Sequence, residues 1–148
     1  MSYQEKKNIV NIISAILITG IYAYIIYQRH LDGRLNLMDD YSSWGYIFLI
    51  FIIISIVARI ILYIIFHIIN AIATRDEDIP ITDERDKLIV LKATRNSYWT
   101  FSAGFALSVV SMSIGMTPVF LFIAFFASGF LAEIIDNVSQ IYYYRKGI

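Results

Sequence analysis

WGYIFLIFIIISIVARIILYIIFHII, residues 44–69, decides the class of this chain. The run exceeds the roughly 20 residues that carry an α-helix across a bilayer core, and one formal charge, Arg59, interrupts it. Three further apolar runs, 9–27, 98–116 and 118–135, are each long enough to cross as well. The expected fold is therefore all-α: a polytopic membrane protein of four transmembrane helices, forming a single domain over residues 1–148.

Composition agrees. Apolar residues make up 58% and charged residues 16% of the 148, and mean hydropathy is +0.64. A soluble chain carries about 25% charged residues. Net charge is zero, which gives no reason to expect direct nucleic-acid binding. No cysteine is present, so disulfides, thiol redox chemistry and thiolate metal sites are excluded. Lys6 and Lys7 ahead of the first run resemble the start of a signal peptide. The run is too long for one, and Tyr22, Tyr24 and Tyr27 stand where a small-residue cleavage site is needed, so it reads as a retained span.

Orientation follows from Lys and Arg near the span ends. Lys6 and Lys7 precede the first span; Arg75, Arg85, Lys87, Lys92 and Arg95 lie between the second and third; Arg145 and Lys146 follow the fourth. Only Arg29 and Arg34 fall in the first loop, and none in the third turn. This asymmetry predicts that both termini lie in the cytoplasm. Tyr41, Trp44 and Tyr46 would anchor the outer interface; Tyr98, Trp99 and Tyr142 to Tyr144 would anchor the inner one.

Ser42 or Ser43 is expected to cap the second span, and Gly33 marks a turn in the loop before it. Thr117 is expected to cap the fourth, with Pro118 at the first helical position, where a missing N–H costs nothing. Spans three and four then form a tight antiparallel hairpin. Gly104, Ser108, Ser111 and Gly115 make one small-residue stripe along span three; Ala124, Ser128 and Ala132 make another on span four. Small residues let membrane helices approach closely. The same stripes could instead serve a homo-oligomer, but the short turn favours the hairpin.

Residues 70–97 form the one substantial soluble segment. An acidic stretch (Asp76, Glu77, Asp78) ends at Pro80, after which Thr82 or Asp83 can cap a helix whose first turn holds Glu84 and Asp86. Acidic residues suit the positive end of a helix dipole, which accounts for them better than a divalent cation does. Asp83 and Lys87 stand at the favourable i,i+4 spacing. No Gly or Pro separates this helix from span three, so helix three is expected to run from about Asp83 to Met116 and to project into the cytoplasm. Asp83-Glu84-Arg85, then Lys92-Ala93, then an aromatic-led span, resembles a group of small four-span bacterial and archaeal membrane proteins of unknown function. The resemblance covers chiefly residues 83–116. It carries no established activity; the association of such proteins with small helix-turn-helix regulators implies regulation or stress response.

Arg59 is the charge inside a span, where insertion costs about 2.5–3.5 kcal/mol near a helix centre. Ser55, Arg59, Tyr63, His67 and Asn70 form a polar stripe on that helix. Glu133 lies as many residues after Pro118 as Arg59 lies after Trp44, and both helices descend inwards, so the two share a depth. The expected partner of Arg59 is Glu133, with Asp136 next. An ion pair fixing helix neighbours, snorkelling of Arg59 to the inner headgroups, and a functional intramembrane polar site all fit this pattern. His30 reads as interfacial. Neither His30 nor His67 has convergent ligands, and no catalytic or phosphate-binding motif occurs, so no cofactor or metal is expected. A non-enzymatic regulatory or sensory component, recruiting a cytoplasmic partner through 70–97, is the preferred function. An oligomeric channel or transporter subunit with an Arg59/Glu133 site is the alternative, and a lipid-acting enzyme the third.

Overall fold

The computed structural model describes residues 2–74 and 83–147, with the side chains of 73 and 74 outside that description. The acidic stretch, Pro80 and the Thr82 cap also lie outside the described residues. Four helices follow in order: α1 (Tyr3–Leu31), α2 (Ser42–Thr74), α3 (Glu84–Ser113) and α4 (Pro118–Lys146). Of these, α1, α2 and α4 are long and apolar enough to cross a membrane.

Local chemistry sets the helix ends. Ser2 and Glu5 form a reciprocal capping box at the start of α1. Asp83 and Asp86 do the same for α3: Asp86 N–H donates to Asp83 Oδ1 at 2.7 Å and Asp83 N–H to Asp86 Oδ2 at 3.2 Å. The acidic triplet is thus a helix start. Asp40 rather than Ser42 or Ser43 holds the start of α2. Its carboxylate accepts from Ser42 N–H at 3.1 Å and from both serine hydroxyls at 2.6 Å. These bonds hold the Asp40 carboxyl below the usual range.

Helix α3 stops three residues earlier than its apolar run. Gly115 N–H bonds Met112 C=O and Met116 N–H bonds Ser111 C=O, at 3.1 Å each. That pair is a Schellman closure, and Gly115 adopts φ +79° to make it. Gly115 therefore belongs to the turn and not to the packing stripe, and nothing lies near the place of its missing Cβ. Thr117 has the extended backbone of an N-cap but makes no side-chain cap bond, and Pro118 opens α4. The helix then runs on past 135 to Lys146, eleven residues beyond its apolar run.

Helix α4 is the hub. Its most extensive contact is with α3, followed by α1, while α1 also packs on α2. Along the α3–α4 seam Ser108, Ser111, Ser128 and Ala132 are buried, and a Cβ added to Gly104 would overlap Ser128 Cβ. Ala124 is half-buried. The seam continues past the apolar run: Ile89 and Ala93 are fully buried, Asn96 bonds Ser139 and Tyr143, and Tyr144 O–H donates to Asp86. The early turns of α3 are therefore paired with the late turns of α4, not isolated.

The bundle's two ends differ in kind. At the loop end, where the short connections lie, Tyr22, Trp44, Ile47 and Val119 form a core ringed by Phe48, Phe51 and Phe122. Trp44 is 6% exposed and stacks on Phe122, so it is a core residue and not the interfacial anchor its position predicts. Its indole N–H donates to Leu37 C=O, and Tyr22 O–H to Ile47 C=O, which satisfies both polar tips. Most other large apolar side chains point outward, including Ile53, Ile60, Ile64 and Ile68 of α2. Such a surface suits lipid, not water.

Candidate functional site

The end of the bundle that gathers both chain termini is polar inside. Along the stripe on α2, Ser55 is buried, Arg59 and Tyr63 are half-buried and His67 is exposed, and the stripe divides between two partners. Arg59 Nη2 donates to Glu133 Oε2 at 2.6 Å, through one hydrogen bond rather than a parallel pair. One turn on, Tyr63 meets α1 instead, where the Lys7 ammonium stands 5.6 Å from its ring centroid. His67 follows, 3.4 Å from the Tyr3 hydroxyl. Ser55, a turn before Arg59, is buried with its hydroxyl unpartnered. Asp136 does not reach Arg59. One of its oxygens accepts from Gln140 Nε2 at 2.9 Å; Thr94 lies close by, yet Oδ1 makes no hydrogen bond.

Behind this pair lies a cleft of about 490 Å³ to which all four helices contribute. Helix α4 is the floor, with Glu133, Asp136, Asn137 and Gln140 at helical spacing. Lys7, Asn8 and Asn11 of α1 and Arg59 and Tyr63 of α2 form one wall; Val90, Thr94 and Ser97 of α3 form the other. Only Val90 is apolar. Asn11 Nδ2 donates to Asn137 Oδ1 at 3.0 Å, and Asn137 Nδ2 to the Glu133 carbonyl at 2.9 Å, fixing α1 to α4. A second ion pair joins α1 to α4 nearer the termini, Arg145 Nε to Glu5 Oε1 at 3.1 Å. Asn8 is 3% exposed, lines the cleft, and its Nδ2 has no acceptor. Buried polar atoms without partners are rare, and this one belongs to a residue that lines the cleft.

The motif of α3 stands apart. Asp83 and Asp86 serve the helix start, Glu84 is exposed, and Lys92 lies over the Tyr143 ring at 5.8 Å. Arg85 and Asn70 each engage a partner as well. None of these lines the cleft.

Sequence reasoning missed the α1 contribution. Starting the first span at residue 9 leaves Lys7 and Asn8 in a tail, whereas the capping box starts the helix at Tyr3. The signal was present: Asn8, Asn11 and Ser14 recur every three residues along one face of an otherwise apolar helix, as do Glu133, Asn137 and Gln140 at i, i+4 and i+7. Comparison with protein families, with characterised proteins and with solved structures finds no match to this chain.

Proposed function

We propose that this chain is a four-span membrane protein acting as a non-enzymatic regulatory or sensory component. In this reading a ligand in the cleft changes the separation of α2 and α3, and α3 carries the change to a partner at its first turns. The observation that supports it is the change of lining along the cleft. It is polar at the terminal end, and beyond it the lining turns to phenylalanine, with Phe126 in ring contact with both Phe48 and Phe51. A polar solute within one chain meets an aromatic lining beyond the ion pair, which favours reception over conduction. Helices α2 and α3 form no extended contact with each other, so their spacing can change without breaking a packed interface.

The fourth span is α3. Its hydroxyls bond their own helix, Thr100 to Asn96 C=O, Ser108 to Phe105 C=O and Ser111 to Ser108 C=O, which suits an apolar medium. With both termini cytoplasmic, as the Lys/Arg asymmetry predicts, the cleft opens to the cytoplasmic side and so do the first turns of α3.

Spin labels on Ile65→Cys of α2 and Leu88→Cys of α3 test the reading in nanodiscs, because the native chain has no cysteine to interfere. The expected result is two distance populations whose ratio shifts with bilayer composition, since a sensor needs two states with different ligand affinity. One unmoving distance would overturn it. Ion flux through liposomes of purified protein would replace it with the channel reading.

A further inference from the structure

The polar cleft has an aromatic neighbour across the ion pair. Glu133 also lines a second cavity of about 270 Å³, which runs from the ion pair toward the loop end between Phe48 and Phe51 of α2, Phe101 of α3, and Phe125, Phe126 and Phe130 of α4. The two cavities share Glu133 as a lining residue, so the groove they line together over α4 is polar on one side of the Arg59–Glu133 pair and aromatic on the other. A soluble polar solute would fill only the first part, and a hydrocarbon only the second. The groove as a whole matches an amphiphile lying along the helix axes, as lipids do.

The polar part narrows the headgroup. Its formal charges balance: Lys7 and Arg59 against Glu133 and Asp136. An anionic headgroup would add uncompensated charge beside two carboxylates, in a setting where screening is weak. Two buried atoms on residues of its lining lack partners, and they are opposite in kind: Asn8 Nδ2 is a donor and Asp136 Oδ1 an acceptor. A headgroup that supplies both an acceptor and an N–H donor satisfies the two together. A phosphate oxygen can accept from Asn8 and from the Lys7 ammonium, while a primary ammonium donates to Asp136. A quaternary ammonium has no hydrogen to donate.

We propose that this groove binds a membrane glycerophospholipid with a zwitterionic, primary-amine headgroup, the headgroup among Lys7, Asn8 and Asp136 and one acyl chain along the phenylalanines. The inference rests on the sensory reading above and supplies its ligand.

Binding to full-length protein in detergent is measured by native mass spectrometry and by shifts in melting temperature. The probes are phosphatidylethanolamine, phosphatidylcholine and phosphatidylglycerol of matched chains, glycerophosphoethanolamine as the bare headgroup, and oleate as the bare chain. Phosphatidylethanolamine is expected to bind at least tenfold tighter than each of the others. Asn8→Ala should weaken it about tenfold, the loss of one hydrogen bond worth about 1.4 kcal/mol, without lowering the melting temperature of the empty protein, because the amide it removes is unpartnered. Gly129 lines the aromatic cavity, and a Cβ there meets open space, so Gly129→Leu can place its side chain in the room the acyl chain would need. That variant should lose phosphatidylethanolamine and keep its fold. Equal binding of the three phospholipids, bare headgroup or oleate binding as tightly as the lipid, or full binding by Gly129→Leu would each overturn the proposal. The α2–α3 distance, recorded in the same samples, separates the two readings. Selective lipid binding with a fixed distance keeps the lipid site and sinks the sensor; a shifting distance without lipid selectivity does the reverse.

Discussion

Helix α4 meets α3 with no space between them and meets α2 across a gap. On the α3 side Gly104 has no room for a Cβ beside Ser128, and serines and alanines keep the backbones close from Ser111 to Ala93. On the α2 side the link is made by long side chains: phenylalanine rings at the loop end and the Arg59–Glu133 pair at mid-helix. The first interface is held by dispersion over many small contacts, none of which can be stretched without loss. The second is held at a few points by groups with several rotatable bonds, which can swing and keep their contacts. One interface is thus a rigid hairpin and the other a hinge, and the groove exists because α2 stands off.

The largest test strikes the rigid side. Gly104→Leu should destabilise the protein by about 3 kcal/mol or more, the upper end of overpacking costs, because the atom it meets lies next to the α4 backbone and cannot move aside. Gly115→Ala is its counterpart in the turn. It clashes with nothing and should cost about 1–2 kcal/mol, from the positive φ alone. Unfolding in detergent followed by circular dichroism compares the two. Similar losses would mean that the α3–α4 seam is no tighter than its turn, and the contrast between interfaces would collapse.

The middle-sized test strikes the hinge. Arg59 and Glu133 side chains are 41% and 24% exposed, so neither is fully enclosed by protein. Arg59→Met or Glu133→Gln should therefore cost about 2 kcal/mol, less than the roughly 3–5 kcal/mol of a fully buried pair. The double variant should recover part of the loss, since it strands no charge. Simple addition of the two losses would show the residues to be independent, and α2 would then be held by its rings alone.

The same contrast explains what the sequence could and could not disclose. Arg59 and Glu133 were legible as partners because α2 and α4 start at the same end and equal residue counts bring them to one depth. The small stripes were legible because close packing selects residue types at fixed spacing. Gly115 broke the pattern: it continues the stripe by spacing, but its helix has already ended, and glycine's second role in a closing turn carries the same letter. The α1 wall of the cleft escaped because apolar length marks where a span can lie, while capping chemistry marks where the helix starts. Ser2 and Glu5 add turns that place Lys7 and Asn8 in the cleft wall. Trp44 was misjudged as an anchor because an aromatic near a span end reads alike whether it turns to lipid or to Phe122.

The smallest effect is expected where α2 begins. A helix tied to its neighbours only by side chains depends more on its own start, and Asp40 supplies that start by accepting from Ser42 and Ser43. These bonds favour the carboxylate, so the folded protein holds Asp40 below the value of an unfolded aspartate, about 3.9. Stabilisation from this group is then fully present above that value and is lost as pH falls through the lower folded one. Asp40 is exposed, so the effect should be a shift of a few degrees at most in melting temperature. The Ser42→Ala/Ser43→Ala variant removes both hydroxyl bonds and leaves every other carboxylate in place. Its melting temperature should lie below that of the native chain at neutral pH, and the gap should close as pH falls below about 4. A gap that stays constant across that range would mean the serines act by packing, and that α2 is held from α4 after all.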